Sequence, residues 1–275
     1  MASSDGRKLS IRRNNILRLR WVADTSQGLV RLENQDSWRV HCLDRSGEDE
    51  ACLAVVADGI GGREGGKLAS SLAVESITQF VTDFIWGKKP IDLLKQGMLY
   101  ANAKILSAST EDESVRGMGT TLTCALVYAK DGKVFISHVG DSRAYIISRG
   151  IIRRITDDHS ISGELVKKGS ITEEDAMFHP SRNVLTAALG THDSVEVSLY
   201  KERLLPNDVI ILCTDGLTSL VSADEICQVA LNGYTEAATK LVDLANSRGG
   251  YDNVTVVVLW REISESADGL RGEAE

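Results

Sequence analysis

Short apolar, β-branched runs, each bounded by turn residues and several closed by an aspartate, set the limits on how this chain can fold. The runs are Leu17 to Ala23, Ser37 to Cys42, Ala51 to Ala57, Thr121 to Tyr128, Val134 to Val139, Ala144 to Ile147, Ile151 to Ile155, Val195 to Leu199, Val209 to Cys213 and Val254 to Trp260. Their length and β-branched content read as strands. Asp131-Gly132 fits a tight hairpin between two of them, and the close spacing from 121 to 155 predicts an antiparallel meander. That spacing argues against an alternating βαβ domain.

Helical periodicity interrupts the strands twice. Leu68, Leu72, Ala73, Ile77, Phe80, Val81 and Phe84 repeat every three or four residues, as do Leu93, Leu94, Met98, Ala101 and Ile105. A later pair, near 223–231 and 235–247, carries the stripes Ile226, Val229, Ala230 and Ala238, Leu241, Val242, Ala245. Strands, a helix pair, a meander and a second helix pair predict an α+β layered fold. No repeat or Pro/Ser-rich linker divides it, so one domain over 17–261 is expected. It would be flanked by a basic flexible tail at 1–16 and a disordered tail at 262–275. Residues 160–194 are polar and irregular and read as a surface excursion, with a short helical stretch near Glu164 to Lys168.

Charge narrows the partners. Of 275 residues, 31 are Lys or Arg and 39 Asp or Glu, a net of −8. Arg7, Lys8, Arg12, Arg13, Arg18 and Arg20 crowd the start, so the rest is more acidic than that net suggests. Such a body repels phosphate backbones and favours cations over nucleic acid. No apolar run reaches the ~20 residues a membrane helix needs. Cys42, Cys52, Cys124, Cys213 and Cys227 form no Cys-x-x-Cys pair and mostly lie in apolar runs, which predicts buried, reduced thiols, no disulfide framework, no thiolate zinc site and a cytoplasmic location.

The chemistry lies in the aspartates. Asp58, Asp141 and Asp215 follow strand-like runs, while Asp36 and Asp252 precede them. A carboxylate at a strand end is fixed by the sheet and faces solvent, and Mg²⁺ and Mn²⁺ prefer such oxygen ligands. Asp-Gly is also ordinary turn chemistry: it occurs five times here, in Asp5-Gly6, Asp131-Gly132 and Asp268-Gly269 as well as at Asp58 and Asp215. Only the buried-looking strands before Asp58 and Asp215 lift those two above a turn reading.

Six ordered motifs carry a resemblance: Gly28-Leu-Val-Arg31-Leu-Glu-Asn34-Gln35-Asp36, Val56-Ala57-Asp58-Gly59-Ile60-Gly61-Gly62, Gly119-Thr120-Thr121, Val139-Gly140-Asp141-Ser142-Arg143, Cys213-Thr214-Asp215-Gly216-Leu217 and Asp252-Asn253-Val254-Thr255. In order and spacing the chain resembles the metal-dependent protein phosphatase (type 2C) family, in its bacterial serine/threonine branch. Asp157-Asp158-His159-Ser160 and His179 to Gly190 also resemble that branch, where it carries a mobile flap.

The resemblance implies a four-layer α-β-β-α sandwich with two antiparallel sheets. It implies hydrolysis of phosphoserine and phosphothreonine by a metal-activated water at a binuclear Mn²⁺ or Mg²⁺ centre. Carried over by position, Asp58 bridges the two ions, the Gly59 carbonyl holds one, Asp215 and Asp252 hold the other, and Asp36 holds the cluster directly or through water. Arg31 binds the substrate phosphate as a planar fork, and Asp141 is a ligand for a third metal. The implied partners are phosphorylated proteins of a cognate serine/threonine kinase, met by a monomer in signal transduction.

Two departures qualify this. Many relatives carry histidine just after the first Asp-Gly, where this chain has Ile60-Gly61-Gly62-Arg63-Glu64, so no histidine general acid stands there; a metal-bound water or His41, His159 or His179 are the alternatives for protonating the leaving alkoxide, and no histidine is nominated. Some relatives carry a further aspartate four residues beyond Asp215, where Ser219 stands here. A rival reading is an inactive binding or sensor module of the same fold. The full set Asp36, Asp58, Asp215 and Asp252 argues against it, because these acids repel one another without a cation.

Overall fold

A computed structural model describes residues 15–44, 50–62 and 64–265. The expectations for 1–14 and 266–275 lie outside the described residues. The strands are β1 (Asn15–Ser26), β2 (Ser37–Leu43), β3 (Ala51–Ala57), β4 (Gly59–Ile60), β5 (Gly119–Thr120), β6 (Leu122–Tyr128), β7 (Lys133–Val139), β8 (Arg143–Ser148), β9 (Ile151–Arg154), β10 (Ser198–Arg203), β11 (Val209–Cys213) and β12 (Val254–Glu265). The helices are α1 (Gly65–Phe84), α2 (Pro90–Glu111), α3 (Ile161–Lys167), α4 (Glu173–Met177), α5 (Asp215–Thr218), α6 (Ala223–Leu231) and α7 (Tyr234–Ser247).

Among the described residues ten strands make two five-stranded antiparallel sheets, ordered β1-β12-β11-β8-β9 and β10-β7-β6-β3-β2, and β4 and β5 pair with each other apart from them. The unbroken apolar runs follow from where each strand sits. On β3, Ala51, Leu53, Val55 and Ala57 pack towards α1 and α2, while Cys52, Ala54 and Val56 pack between the sheets. Likewise Val209, Ile211 and Cys213 on β11 meet α6 and α7, and Ile210 and Leu212 meet the other sheet. Successive side chains point to opposite faces, so a strand covered on both faces needs apolar residues at every position. Three apolar layers therefore separate four layers of structure, and the expected α-β-β-α sandwich is what forms.

Local signals place the helices. Pro90 opens α2, where its missing N–H costs nothing. Ser222 and Glu225 form a reciprocal capping box at the start of α6, and Arg248 after α7 grips the same Glu225 carboxylate with Nη1 and Nη2.

Several expectations are corrected. The 121–155 stretch is not one meander: β6 and β7 pair in one sheet, β8 and β9 in the other. The chain crosses between sheets at Gly140, whose positive φ of 110° and close approach to Thr121 suit glycine alone. Residues 160–194 hold two short helices, α3 and α4, and are not wholly superficial, since Ser160 and Leu189 are buried. The strand expected at Val195 to Leu199 runs from Ser198 to Arg203 along β7. β1 begins at Asn15 and β12 runs to Glu265, so paired strand extends past both expected tail boundaries.

The cysteine expectation also fails in part. The β2–β3 register sets Cys42 opposite Cys52, Cα atoms 4.0 Å apart, and a disulfide joins them. Directly opposed antiparallel residues come close enough for this pairing. Cys124, Cys213 and Cys227 are free and buried, and burial pushes the Cys124 and Cys213 thiols up to about 12. With two sulfurs paired, thiol content no longer argues for a reducing compartment.

Ile77 of α1 is fully buried against α2 and β3. Ile77→Ala leaves a void there and should cost about 2–5 kcal/mol in chemical denaturation; a loss under about 1 kcal/mol would contradict this packing.

Candidate metal and phosphate site

Strand register assembles the site. Ser37 pairs with Ala57, which sets Asp36 and Asp58 side by side at one end of their sheet. In the other sheet Cys213 lies between Arg143 and Val256, so Asp141, Asp215 and Asp252 leave that sheet at the same end. A cleft of about 530 Å³ opens there, lined by Arg31, Asp58, Gly59, Asp141, Asp215 and Asp252 among others. Six of the seven residues nominated from the sequence therefore line one cavity.

Asp36 is the seventh and lies deeper. It is 3% exposed, and its Oδ2 accepts hydrogen bonds from Thr214 Oγ1 at 2.9 Å and Thr255 Oγ1 at 2.7 Å. Thr255 lies on β12 of the opposite sheet and Thr214 directly follows its β11, so this carboxylate ties the sheets together beneath the cleft. Among the described residues its Oδ1 is buried without a hydrogen-bond partner, and so is Oδ1 of Asp215.

Backbone approaches fix the two Asp-Gly pairs. Asp58 is held on both sides: its N donates to Thr121 Oγ1 at 2.9 Å, while Thr121 N and Thr120 Oγ1 donate to its carbonyl at 2.9 and 2.8 Å. A Cβ on Gly59 would stand 2.1 Å from the Gly66 carbonyl oxygen, and one on Gly216 2.0 Å from that of Asn253. Both Asp-Gly pairs thus need glycine for close backbone packing, beyond turn preference.

Arg31 lies on the loop between β1 and β2. Its Nη2 donates to Asp252 Oδ2 at 2.6 Å, yet its side chain is 55% exposed. That bond, helped by the charges of Asp252, Asp58 and Asp215, raises its pKa against the lowering effect of burial. One edge of the guanidinium is held and the remaining donors stay open to an anion.

Carboxylate crowding dominates the electrostatics. Burial, then the charges of Asp36, Asp215, Asp141 and Asp252, push Asp58 well above the usual carboxylate range. Burial pushes Asp36 up to about 7, against the bonds from Thr255 and Thr214 and with the charges of Asp215 and Asp252. Burial and Asp215 raise Asp141, and burial and Asp252 raise Asp215. Buried acids that prefer protons, with two orphaned oxygens among them, form a hard-oxygen donor set with surplus negative charge. That set fits Mn²⁺ or Mg²⁺.

Sequence reasoning missed several supporting residues. Asn253 is 5% exposed; its Nδ2 donates to the Gln27 and Glu33 carbonyls, and its Oδ1 accepts from Gln35 N, all at 2.9 Å. It thereby clamps the loop that carries Arg31 and ends at Asp36. Lys67 Nζ donates to the Asp36 carbonyl at 2.9 Å. Asn183 and Leu185 reach the cleft from the 160–194 segment. The motif Asp252-Asn253 offered a signal for Asn253; nothing local marks Lys67.

Among the described residues no histidine lines the cleft. His159 Nδ1 accepts from Gly140 N at 3.2 Å and its Nε2 bonds Ser198 Oγ at 2.9 Å. His179 Nδ1 accepts from Ser181 N, and His41 sits on edge strand β2.

The model of the family described as Protein phosphatase 2C matches residues 27–255. The chain belongs to the protein phosphatase 2C family. It is 34% identical over 246 residues to the serine/threonine phosphatase stp of Listeria monocytogenes, covering 88% of this chain and 95% of that one. Its structure resembles that of the serine/threonine phosphatase PstP/Ppp of Mycobacterium tuberculosis, with a TM-score of 0.78, 34% identity and coverage of 89% and 99%. It also resembles the catalytic domain of PstP in complex with two manganese ions, with a TM-score of 0.77, 33% identity and coverage of 90% and 99%. Membership makes the chain a metal-dependent phosphoprotein phosphatase with a binuclear Mn²⁺ or Mg²⁺ centre, not an inactive sensor module of the same fold.

The raised carboxyls carry a pH dependence. A group whose folded pKa exceeds its unfolded value stabilises the cation-free protein fully below the unfolded value, 3.8 for Asp36. That contribution is lost as pH rises through the folded value, about 7. Cations compete with those protons. The rise in Tm given by Mn²⁺ over EDTA should therefore be larger at pH 8 than at pH 5; an equal rise at both would contradict the proton-loaded cluster.

Proposed function

We propose that Asp58, the Gly59 carbonyl, Asp215 and Asp252 hold the two Mn²⁺ or Mg²⁺ ions, and that Asp36 holds the cluster from beneath, directly or through water. The observation that carries this is the pair of partnerless buried oxygens, Asp36 Oδ1 and Asp215 Oδ1, inside a group of acids that burial alone would drive neutral. When bound, such ions supply an activated water at neutral pH and offset the negative charge of phosphate-ester hydrolysis.

The chain's own residues do the positioning. Asp252 holds Arg31 by one Nη2, so the rest of the guanidinium fork meets phosphate oxygens at the cleft mouth. Asn253 keeps that loop in place through three hydrogen bonds. Asp141 is the ligand for a third cation: it is 8% exposed and lines, with Asp215 and Ser219, a small cavity beside the main cleft.

The substrates in this reading are phosphoserine and phosphothreonine proteins made by a cognate serine/threonine kinase. The enzyme works as a monomer in signal transduction. One feature supports the monomer: helix layers cover the outer faces of both sheets.

Hydrolysis of p-nitrophenyl phosphate and of a phosphothreonine peptide should require Mn²⁺, stop with EDTA, and be lost in Asp58→Asn with its fold intact by circular dichroism. Silence of folded, Mn²⁺-loaded wild type would overturn the proposal. Arg31→Ala should raise KM for both substrates by about 10–100-fold, as expected for losing a charged hydrogen-bond donor to phosphate. An unchanged KM would leave Arg31 as a surface ion pair.

A further inference from the structure

At Leu185 the 183–188 segment leaves one edge open. Ser160 and Leu185 form an isolated antiparallel bridge in which Ile161 N donates to the Val184 carbonyl at 3.0 Å and Thr186 N to the His159 carbonyl at 2.8 Å. In a bridge of this kind the two central residues turn their own N–H and C=O away from each other. The Leu185 N–H and C=O therefore face the opposite edge, and neither has a hydrogen-bond partner among the described residues.

A groove of about 440 Å³ runs beside this segment, lined by Ile60, Val184, Leu185, Ala187 and His192 among others. It is continuous with the metal and phosphate cleft, since Ile60, Asn183 and Leu185 line both. Among the described residues no carboxylate, lysine or arginine lines it, and Val184 is 49% exposed and Ile60 37% exposed. The cavity behind the segment differs: it is lined by Asp157, Glu164, Lys167, Lys168 and Glu196, and its lysines pair with its acids, Lys167 with Asp157 at 3.2 Å and Lys168 with Glu164 at 3.5 Å.

We infer that the substrate chain beside the phosphoresidue docks in this groove as an added strand, bonding the Leu185 N–H and C=O and seating an apolar side chain against Ile60 and Val184. The inference rests on the phosphatase reading and names a substrate preference within it. Continuity with the cleft selects this occupant, because a polypeptide whose phosphate lies beside Arg31 must leave the cleft along one of its walls. An exposed strand edge supplies sequence-independent main-chain bonds, and alternate side-chain positions supply selectivity. A wall whose described residues are mostly apolar, Ile60, Val184, Leu185, Ala187 and Ala188, selects an apolar neighbour over an acidic or basic one.

The test uses Mn²⁺-loaded enzyme and phosphothreonine peptides with leucine, aspartate or lysine placed in turn at each flanking position, with p-nitrophenyl phosphate as control. Leucine at one position should raise kcat/KM roughly tenfold over aspartate or lysine there. Methylating one backbone nitrogen near that position should lower it by a similar factor. Val184→Ser should erase the leucine preference and Val184→Leu keep it, both leaving p-nitrophenyl phosphate turnover unchanged. Equal rates for all peptides, or a preference that survives Val184→Ser, would overturn the groove while leaving the phosphatase reading intact. Silence on p-nitrophenyl phosphate would overturn both.

Discussion

The carboxylate of Asp36 is the contact on which both sheets and the cleft depend. A buried acid is costly unless paired, and here only one of its oxygens is satisfied by the chain, through Thr214 and Thr255 of the opposite sheet. That arrangement does two things at once. It holds the ends of β11 and β12 against the start of β2 where the loops bearing the clustered acids leave the sandwich, and among the described residues it leaves Oδ1 without a partner. Filling the position with an apolar residue would remove the cost and also the donor, so the fold carries a local penalty at the place where the proposed chemistry needs it.

Glycine and asparagine convert that end of the sandwich into a fixed geometry. Gly59 against Gly66 and Gly216 against Asn253 bring backbone to backbone at distances no side chain would allow. Asn253 then spends all its principal hydrogen-bonding groups on the 27–35 loop. The loop bearing Arg31 is thereby tied to the strand that follows Asp252, and the Arg31–Asp252 ion pair closes the same ring. Exposed ion pairs contribute little to stability, so this one matters for where it aims the guanidinium.

Much of this was legible in the sequence, and what was not has physical causes. β3 and β11 fall where their apolar runs predict, because a strand covered on both faces tolerates no polar residue and its ends are sharp. The aspartates were legible because each stands at such an end. β10 was displaced by three residues because an edge strand is half exposed and its pattern is weak. The crossing at Gly140 was hidden, since a turn residue between two strands reads alike whether the next strand joins the same sheet or another. The Cys42–Cys52 pairing depends on the β2–β3 register, which no spacing rule supplies. Thr214, Thr255 and Lys67 act across sheets or between helix and loop, so their roles exist only once the layers are stacked.

That crossing also joins two parts of the site. The turn at Gly140 carries Asp141 towards the cleft, and it is gripped from the far side by His159, whose N–H donates to the Gly140 carbonyl at 2.7 Å and whose Nδ1 accepts from Gly140 N. Two residues past Asp141, Arg143 binds Asp158 through Nε at 2.9 Å and Nη2 at 2.6 Å. Burial would raise Asp158, but the Arg143 guanidinium wins and holds it below the usual carboxylate range. A charge pair this enclosed is costly to break from one side. Asp158 and His159 are the residues from which the 160–194 segment departs, and the His159 carbonyl accepts from Thr186 on its return. The segment that lines the groove is therefore fastened to the same turn that carries Asp141, through the backbone and ring of His159.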